Sequence, residues 1–142
     1  MAKDFKIDYD AATVGINALA DLFDSGGTLT IYDDDSVGVP ANADDALGAQ
    51  IALVDITTPT PSFGAGSNGA VAKAGSWSAT VALSGEPTFF RLVVGAYCFQ
   101  GTCGLSTISP PEDFDLEFDN VTWLAGGTVT IDTFTMTLPR SS

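Results

Sequence analysis

Side chains able to do chemistry are few and unevenly distributed along this sequence, and nearly all of them are acids. Asp33, Asp34 and Asp35 run together and are followed within a dozen residues by Asp44 and Asp45. In "EDFDLEFD", Asp113, Asp115, Glu117 and Asp119 alternate with Phe114, Leu116 and Phe118. Such carboxylates can serve calcium, which takes oxygen ligands from acidic loops, or a glycosidase, which needs two acids flanking a sugar. "DDDSVGVPANADD" lacks the spacing and closing Glu of an EF-hand loop, so calcium is a weak expectation and solubilising charge the plainer one. Nothing in the pattern isolates one acid in an apolar pocket, as a general acid would require.

Chemistry beyond the acids is narrow. The chain has no His, which removes Ser-His-Asp and Cys-His catalysis together with the commonest proton shuttle and metal ligand. "SGGTLT" and "SFGAGSNGA" are glycine-rich but carry no phosphate-binding Lys, and they read as turns. The expectation is a protein that is not an enzyme and holds no cofactor. Cys98 and Cys103 sit in "YCFQGTC". A hairpin through Phe99 to Thr102 would bring them to disulfide distance, and the alternative is two small, reduced, half-buried thiols. Trp77, Trp123, Tyr32 and Tyr97 can stack on sugars, although in a β-rich fold such rings more often fill the core or an interface.

Eighteen acidic residues against five basic ones, Lys3, Lys6, Lys73, Arg91 and Arg140, leave a formal net charge of -13. A surface of that sign repels phosphate backbones and anionic bilayers, so neither nucleic acid nor membrane is an expected partner. With 45% hydrophobic residues the chain has the apolar material for a core, unlike a disordered acidic chain. At 142 residues one domain is expected: an N-terminal arm over residues 1–9 and a single domain over 10–142. The N-terminal residues do not read as a secretion signal, nor does any apolar run reach membrane-spanning length.

The periodicities set out the elements that must position these side chains. Val14, Ala18, Leu19, Leu22 and Phe23 recur at steps of three and four, which predicts one amphipathic helix near residues 11–24, capped by Asp10 and stopped by Gly26 or Gly27. After "SGG" the period becomes two. Leu29 and Ile31 mark a half-buried strand, and "AQIALVDIT" reads as a central strand, apolar on both faces. "TPTPSFGAGSNGAVAKAGS" reads as a long Pro/Gly/Ser connection. "SWSATVALS" places Trp77, Ala79, Val81 and Leu83 on one face. "PTFFRLVVGAY" is the expected central core strand, with Arg91 as a rim cation paired to a carboxylate.

In the last run, Val129 and Ile131 share a parity that Phe134, Met136 and Leu138 reverse. A kink or a crossing between sheets is therefore expected at Asp132 to Thr133. One short helix and about seven strands separated by Gly/Pro turns predict a mainly β protein, a single antiparallel β-sandwich.

Helix, "GGTLTIYD", "PSFGAGSNGAVAKA", "TFFRLV" and the closing "LAGGTVTIDTFTMTLP" together resemble a group of small β-rich virion structural proteins of tailed bacteriophages and prophages. The resemblance runs through residues 16–33, 60–74, 88–94 and 115–139, and departs from the expected plain hairpin at "YCFQGTCGLSTISPPED". It implies a capsid decoration or cement protein, made in the host cytoplasm and placed on the outer head surface, where it ties neighbouring major capsid subunits together. It also implies self-association, with a homotrimer as the usual form. An acidic surface suits the outside of a shell better than the inside, beside packaged DNA. Candidate contact residues are Lys3 and Lys6 in the arm, Asp33, Asp34 and Asp35 in the acidic loop at 33–48, and Pro59, Pro61 and Phe63 in the loop at 58–76. A tail, baseplate or adhesion component of the virion is the alternative from the same fold, and a free-standing carbohydrate- or calcium-binding module a more distant one.

Overall fold

Alternating apolar and small polar residues make strands the commonest element of this chain, and a computed structural model describes how they pair over residues 8–57, 62–67, 69–75, 77–105, 116–118, 122–131 and 134–137. The arrangement is mainly β, with one helix and antiparallel pairing almost throughout. Helix α1 spans Tyr9–Asp21 and continues as a 3-10 turn over Leu22–Ser25. The strands are β1 (Thr28–Asp33), β2 (Ile51–Ile56), β3 (Ser62–Phe63), β4 (Ala70–Ala74), β5 (Trp77–Thr80), β6 (Phe89–Val94), β7 (Tyr97–Leu105), β8 (Leu116–Phe118), β9 (Thr128–Ile131) and β10 (Thr135–Thr137).

The main sheet has the order β2-β1-β6-β7-β8; β10-β4-β3 and β5-β9 form two smaller ones. The expectation of a central strand at "PTFFRLVVGAY" holds, since β6 is third of five. "AQIALVDIT" does not share that place: β2 is the edge strand of the sheet. Its apolar residues on both parities come from a bulge, because Ile31 pairs with Val54 and Tyr32 with Ala52, leaving Leu53 as an extra residue. Leu53 and Val54 are consequently both buried, and the Leu53 carbonyl accepts from the Ala82 amide at 2.8 Å.

One face of the main sheet carries Leu29, Ile31, Val54, Ile56, Phe90, Leu92 and Val94 into a continuous core with Trp77, Val81, Val129, Ile131 and Phe134 from the smaller sheets. Phe134, just before β10, stands edge-on to Phe90 of the main sheet at 5.5 Å. Trp77 has no exposed surface, and its indole nitrogen donates to the Ala74 carbonyl at 2.9 Å. Leu116 and Phe118 enter the same core, as their alternation with acids predicts. Their strand, β8, runs parallel to β7 rather than antiparallel.

The helix is where the periodicity misleads most. Ala12, Ile16, Ala20 and Phe23 are buried, at steps of four and three, whereas Val14 is 71% exposed. Ile16 and Ala20 pack on Val71 of β4 in a second small cluster. The cap is Asp8 rather than Asp10, its carboxylate accepting from the Ala11 amide at 2.7 Å. Asp8 and Tyr9 thus belong to the helix and not to an arm; residues 1–7, with Lys3 and Lys6, lie outside the described residues.

The long connection at 58–76 also contains order that its composition conceals. Ser62–Phe63 and Ala70–Ala74 pair as β3 and β4, and β4 pairs in turn with β10. Helix α1 fastens the turn between them, because Asn17 Oδ1 accepts from the Gly66 amide and Thr13 Oγ1 from the Gly69 amide, both at 2.8 Å. Residues 132 and 133 are outside the described residues, but the strands on either side pair with different sheets, β9 with β5 and β10 with β4. That crossing matches the phase change expected there.

Candidate functional site

The outer face of the main sheet is where the unusual side chains gather. Asp55, Thr30, Arg91 and Gln100 lie in register across β2, β1, β6 and β7, forming a polar row on a sheet whose other face is apolar. Thr30 Oγ1 donates to Asp55 Oδ1 at 2.6 Å. Arg91 Nε donates to Gln100 Oε1 at 3.0 Å.

Arg91 is 9% exposed, so it is not the rim cation expected from the sequence. Its guanidinium reaches main chain: one of its nitrogens donates to the backbone carbonyls of Asp45, at 2.7 Å, and Asn42, at 3.3 Å. Gln100 Nε2 adds a bond to the Pro40 carbonyl at 2.7 Å. The acidic segment between β1 and β2 is thereby folded back over the sheet and held at residues 40, 42 and 45. A charged donor shared between two carbonyls is stronger than neutral amide bonding.

Further ties fix both ends of the same segment. Asp33 Oδ1 accepts from the Asp35 amide at 2.8 Å, and its Oδ2 accepts from the Glu86 amide at 3.0 Å. Thr88 Oγ1 accepts from the Asp34 amide at 2.9 Å, and Asp34 Oδ1 caps the Ser36 amide at 3.3 Å. Asp35 and Ser36 both take positive φ, 50° and 61°, which is how the chain reverses there. At the far end, the Gln50 side-chain amide bridges the loop, donating to the Gly38 carbonyl at 2.9 Å and accepting from the Gly48 amide at 2.6 Å.

Of the candidate residues, Asp33 and Asp34 are therefore engaged in building the loop, while Asp35 is exposed. Asp44 and Asp45 are exposed beside it. Phe63 is half-buried, its ring packing against Phe23, at 5.5 Å, and edge-on to Trp77, at 5.4 Å. Pro59 and Pro61 lie outside the described residues, as do Asp113, Asp115 and Asp119. Among the described residues, no group of three or more His, Cys, Asp and Glu is arranged to hold a metal ion.

The cysteines are a correction. Cys98 and Cys103 are not joined by a disulfide and lie on one unbroken strand, β7, instead of opposite arms of a hairpin. Five residues of extended chain separate their Cα atoms by about 16 Å, against the roughly 6 Å a disulfide needs. The odd spacing also puts them on opposite faces. Cys103 enters the core, and Cys98 lies on the outer face, opposite Val93. Burial raises the Cys98 thiol pKa, with Arg91 opposing and Asp44 reinforcing the effect. Tyr32, stacked on Phe89 at 4.9 Å, is raised for the same first reason, burial.

Of the four rings able to stack on sugars, Trp77 and Trp123 are buried and Tyr97 is 57% exposed at the β6–β7 turn. Trp123 lines an open groove of about 330 Å³ with Val81, Phe118, Leu124 and Val129. Thr122, Thr128 and Thr130 supply its polar rim.

What the sequence missed is the pairing of Arg91 with Gln100 and the loop they hold. The available signal was a lone Arg in an otherwise apolar strand, facing an acidic segment rich in backbone carbonyls. Comparison of the chain with profiles of protein families, with curated proteins and with solved structures found no match in any of the three.

Proposed function

We propose that this protein is a non-enzymatic structural component of a tailed-phage virion, a decoration protein bound in many copies on the outer face of the head. There it would tie neighbouring major capsid subunits together. The observation that carries the reading is the acidic loop over the main sheet: a surface segment of this length is fixed at residues 34, 38, 40, 42, 45 and 48 by side chains of the sheet and of its own base. Long loops in compact domains are commonly either mobile or functional. A loop held in one shape presents a surface without an ordering cost on binding.

The net charge of -13 supports an outward-facing position, away from packaged DNA. The sequence resemblance supports the virion setting and a homotrimer as the assembled form. The absence of His from the sequence supports a role in binding over one in acid–base catalysis.

Copy number in purified particles of the encoding phage, taken against the major capsid protein, tests the proposal. Hundreds of copies per particle is the expected result. A handful would move the protein to the tail or baseplate, and complete absence would return it to the class of free-standing binding modules.

A further inference from the structure

The acidic loop carries an apolar surface that its composition does not advertise. Val37, Val39 and Leu47 are 53%, 39% and 37% exposed. Gln50 ties together the two stretches that carry them, since its side chain bonds both the Gly38 carbonyl, between the two valines in sequence, and the Gly48 amide, next to Leu47. Ala46 and Ala49 are exposed in the same stretch, and Asp35, Asp44 and Asp45 stand at its margins. Val37 leaves about half of its surface in water and Val39 and Leu47 more than a third, so part of each side chain stays open to a partner. Neighbouring exposed apolar residues rimmed by charge are the usual composition of a contact surface.

We infer that Val37, Val39 and Leu47 form the contact with the shell, docking into an apolar recess on the major capsid protein that is rimmed by Lys or Arg. This rests on the decoration reading and names the face that carries it out. Charge selects the partner. A second copy of this chain would bring a second set of Asp35, Asp44 and Asp45 against the first with the same sign. A basic rim neutralises all three, and the apolar centre excludes water around them. Arg91 does not compete for those acids, being occupied beneath the loop with the carbonyls of Asn42 and Asp45.

The test uses shells of the encoding phage assembled without this protein, titrated with the full-length chain and with three variants of matched thermal stability. V37S/V39S/L47S should bind about 100-fold more weakly, the consequence of losing roughly fivefold per partly exposed apolar side chain. D35N/D44N/D45N should bind more weakly at low salt and lose most of the salt dependence shown by the unaltered chain. V14S, which removes an exposed apolar residue on the helix, should bind as the unaltered chain does. Full binding by the apolar triple variant, while the unaltered chain also binds, would overturn this assignment and leave the decoration reading intact. Failure of the unaltered chain to bind shells would overturn the decoration reading itself. Loss of self-association by the triple variant, with shell binding preserved, would make the patch a contact between copies and overturn the assignment.

Discussion

Arg91 on β6 and Gln100 on β7 stand directly opposite each other, 3.0 Å apart from Nε to Oε1, and between them hold three backbone carbonyls of the acidic loop. The pair solves a problem that the sequence poses. A β6 strand apolar on both faces needs a cover on its outer side, and the loop supplies one only if it is tied down. Arg is suited to this because its planar fork donates in several directions while its stem packs on apolar surface.

Replacing Arg91 by Met keeps the stem and removes the donors. The expected outcome is a loss of about 2 kcal/mol of stability in urea unfolding, from bonds to a charged donor with partly buried partners. Hydrogen exchange should accelerate across residues 34–50 and little elsewhere. An unchanged exchange pattern would mean that the loop holds its shape without the pair.

Cys98 and Cys103 should titrate as two free thiols in the unfolded chain, with no shift in mobility between reducing and non-reducing gels. Alkylation of folded protein should label Cys98 first, since Cys103 is in the core. Its rate should still be climbing above pH 9, because burial holds the thiol above its ordinary value of about 8.5.

The same shift fixes the sign of the alkaline dependence. Cys98 and Tyr32 are both raised in the folded state, so the folded chain holds protons that the unfolded chain releases. Their contribution is therefore complete below the unfolded thiol value and is lost as pH rises, first through Cys98 and then, above about pH 10, through Tyr32. Thermal melts at pH 7 and pH 10.5 should show the drop, and C98S should remove the earlier part of it.

Gly27 is a position where one methyl group decides the packing between helix and sheet. A Cβ there would lie 2.5 Å from the Phe23 ring and 3.1 Å from the Val93 carbonyl. G27A should cost about 1–3 kcal/mol by forcing that buried ring to move. A melting temperature equal to that of the unaltered chain would show that Phe23 relaxes freely.

Much of the sheet was legible because its alternation is strict where one face is buried. Leu29 and Ile31, Phe90 and Leu92, and Leu116 and Phe118 all lie where period two puts them. The helix departs from its apparent phase because Val14 looks more hydrophobic than Ala12 and Ala20, yet it is Ile16 and Ala20 that face Val71 of β4, with Leu19 half-buried beside them. β3 and β4 were hidden by Gly, Ser and Ala, whose ordering comes from pairing with β10 and from Asn17 and Thr13 on the helix, contacts distant in sequence. The hairpin expected through Phe99 to Thr102 does not form for a related reason: all four residues sit inside β7, paired with Leu92 to Phe89 of β6. For the candidate site, the acidic loop was evident from composition. Its anchorage was not, since Arg91 acts on main-chain carbonyls that no residue type announces.

Decoration of a shell requires many copies on each particle, and counting them is the most direct measurement. Virions of the encoding phage, purified through a density gradient and quantified by mass spectrometry against the major capsid protein, should contain hundreds of copies of this chain. A count of a dozen or fewer, or none, would contradict the proposed role.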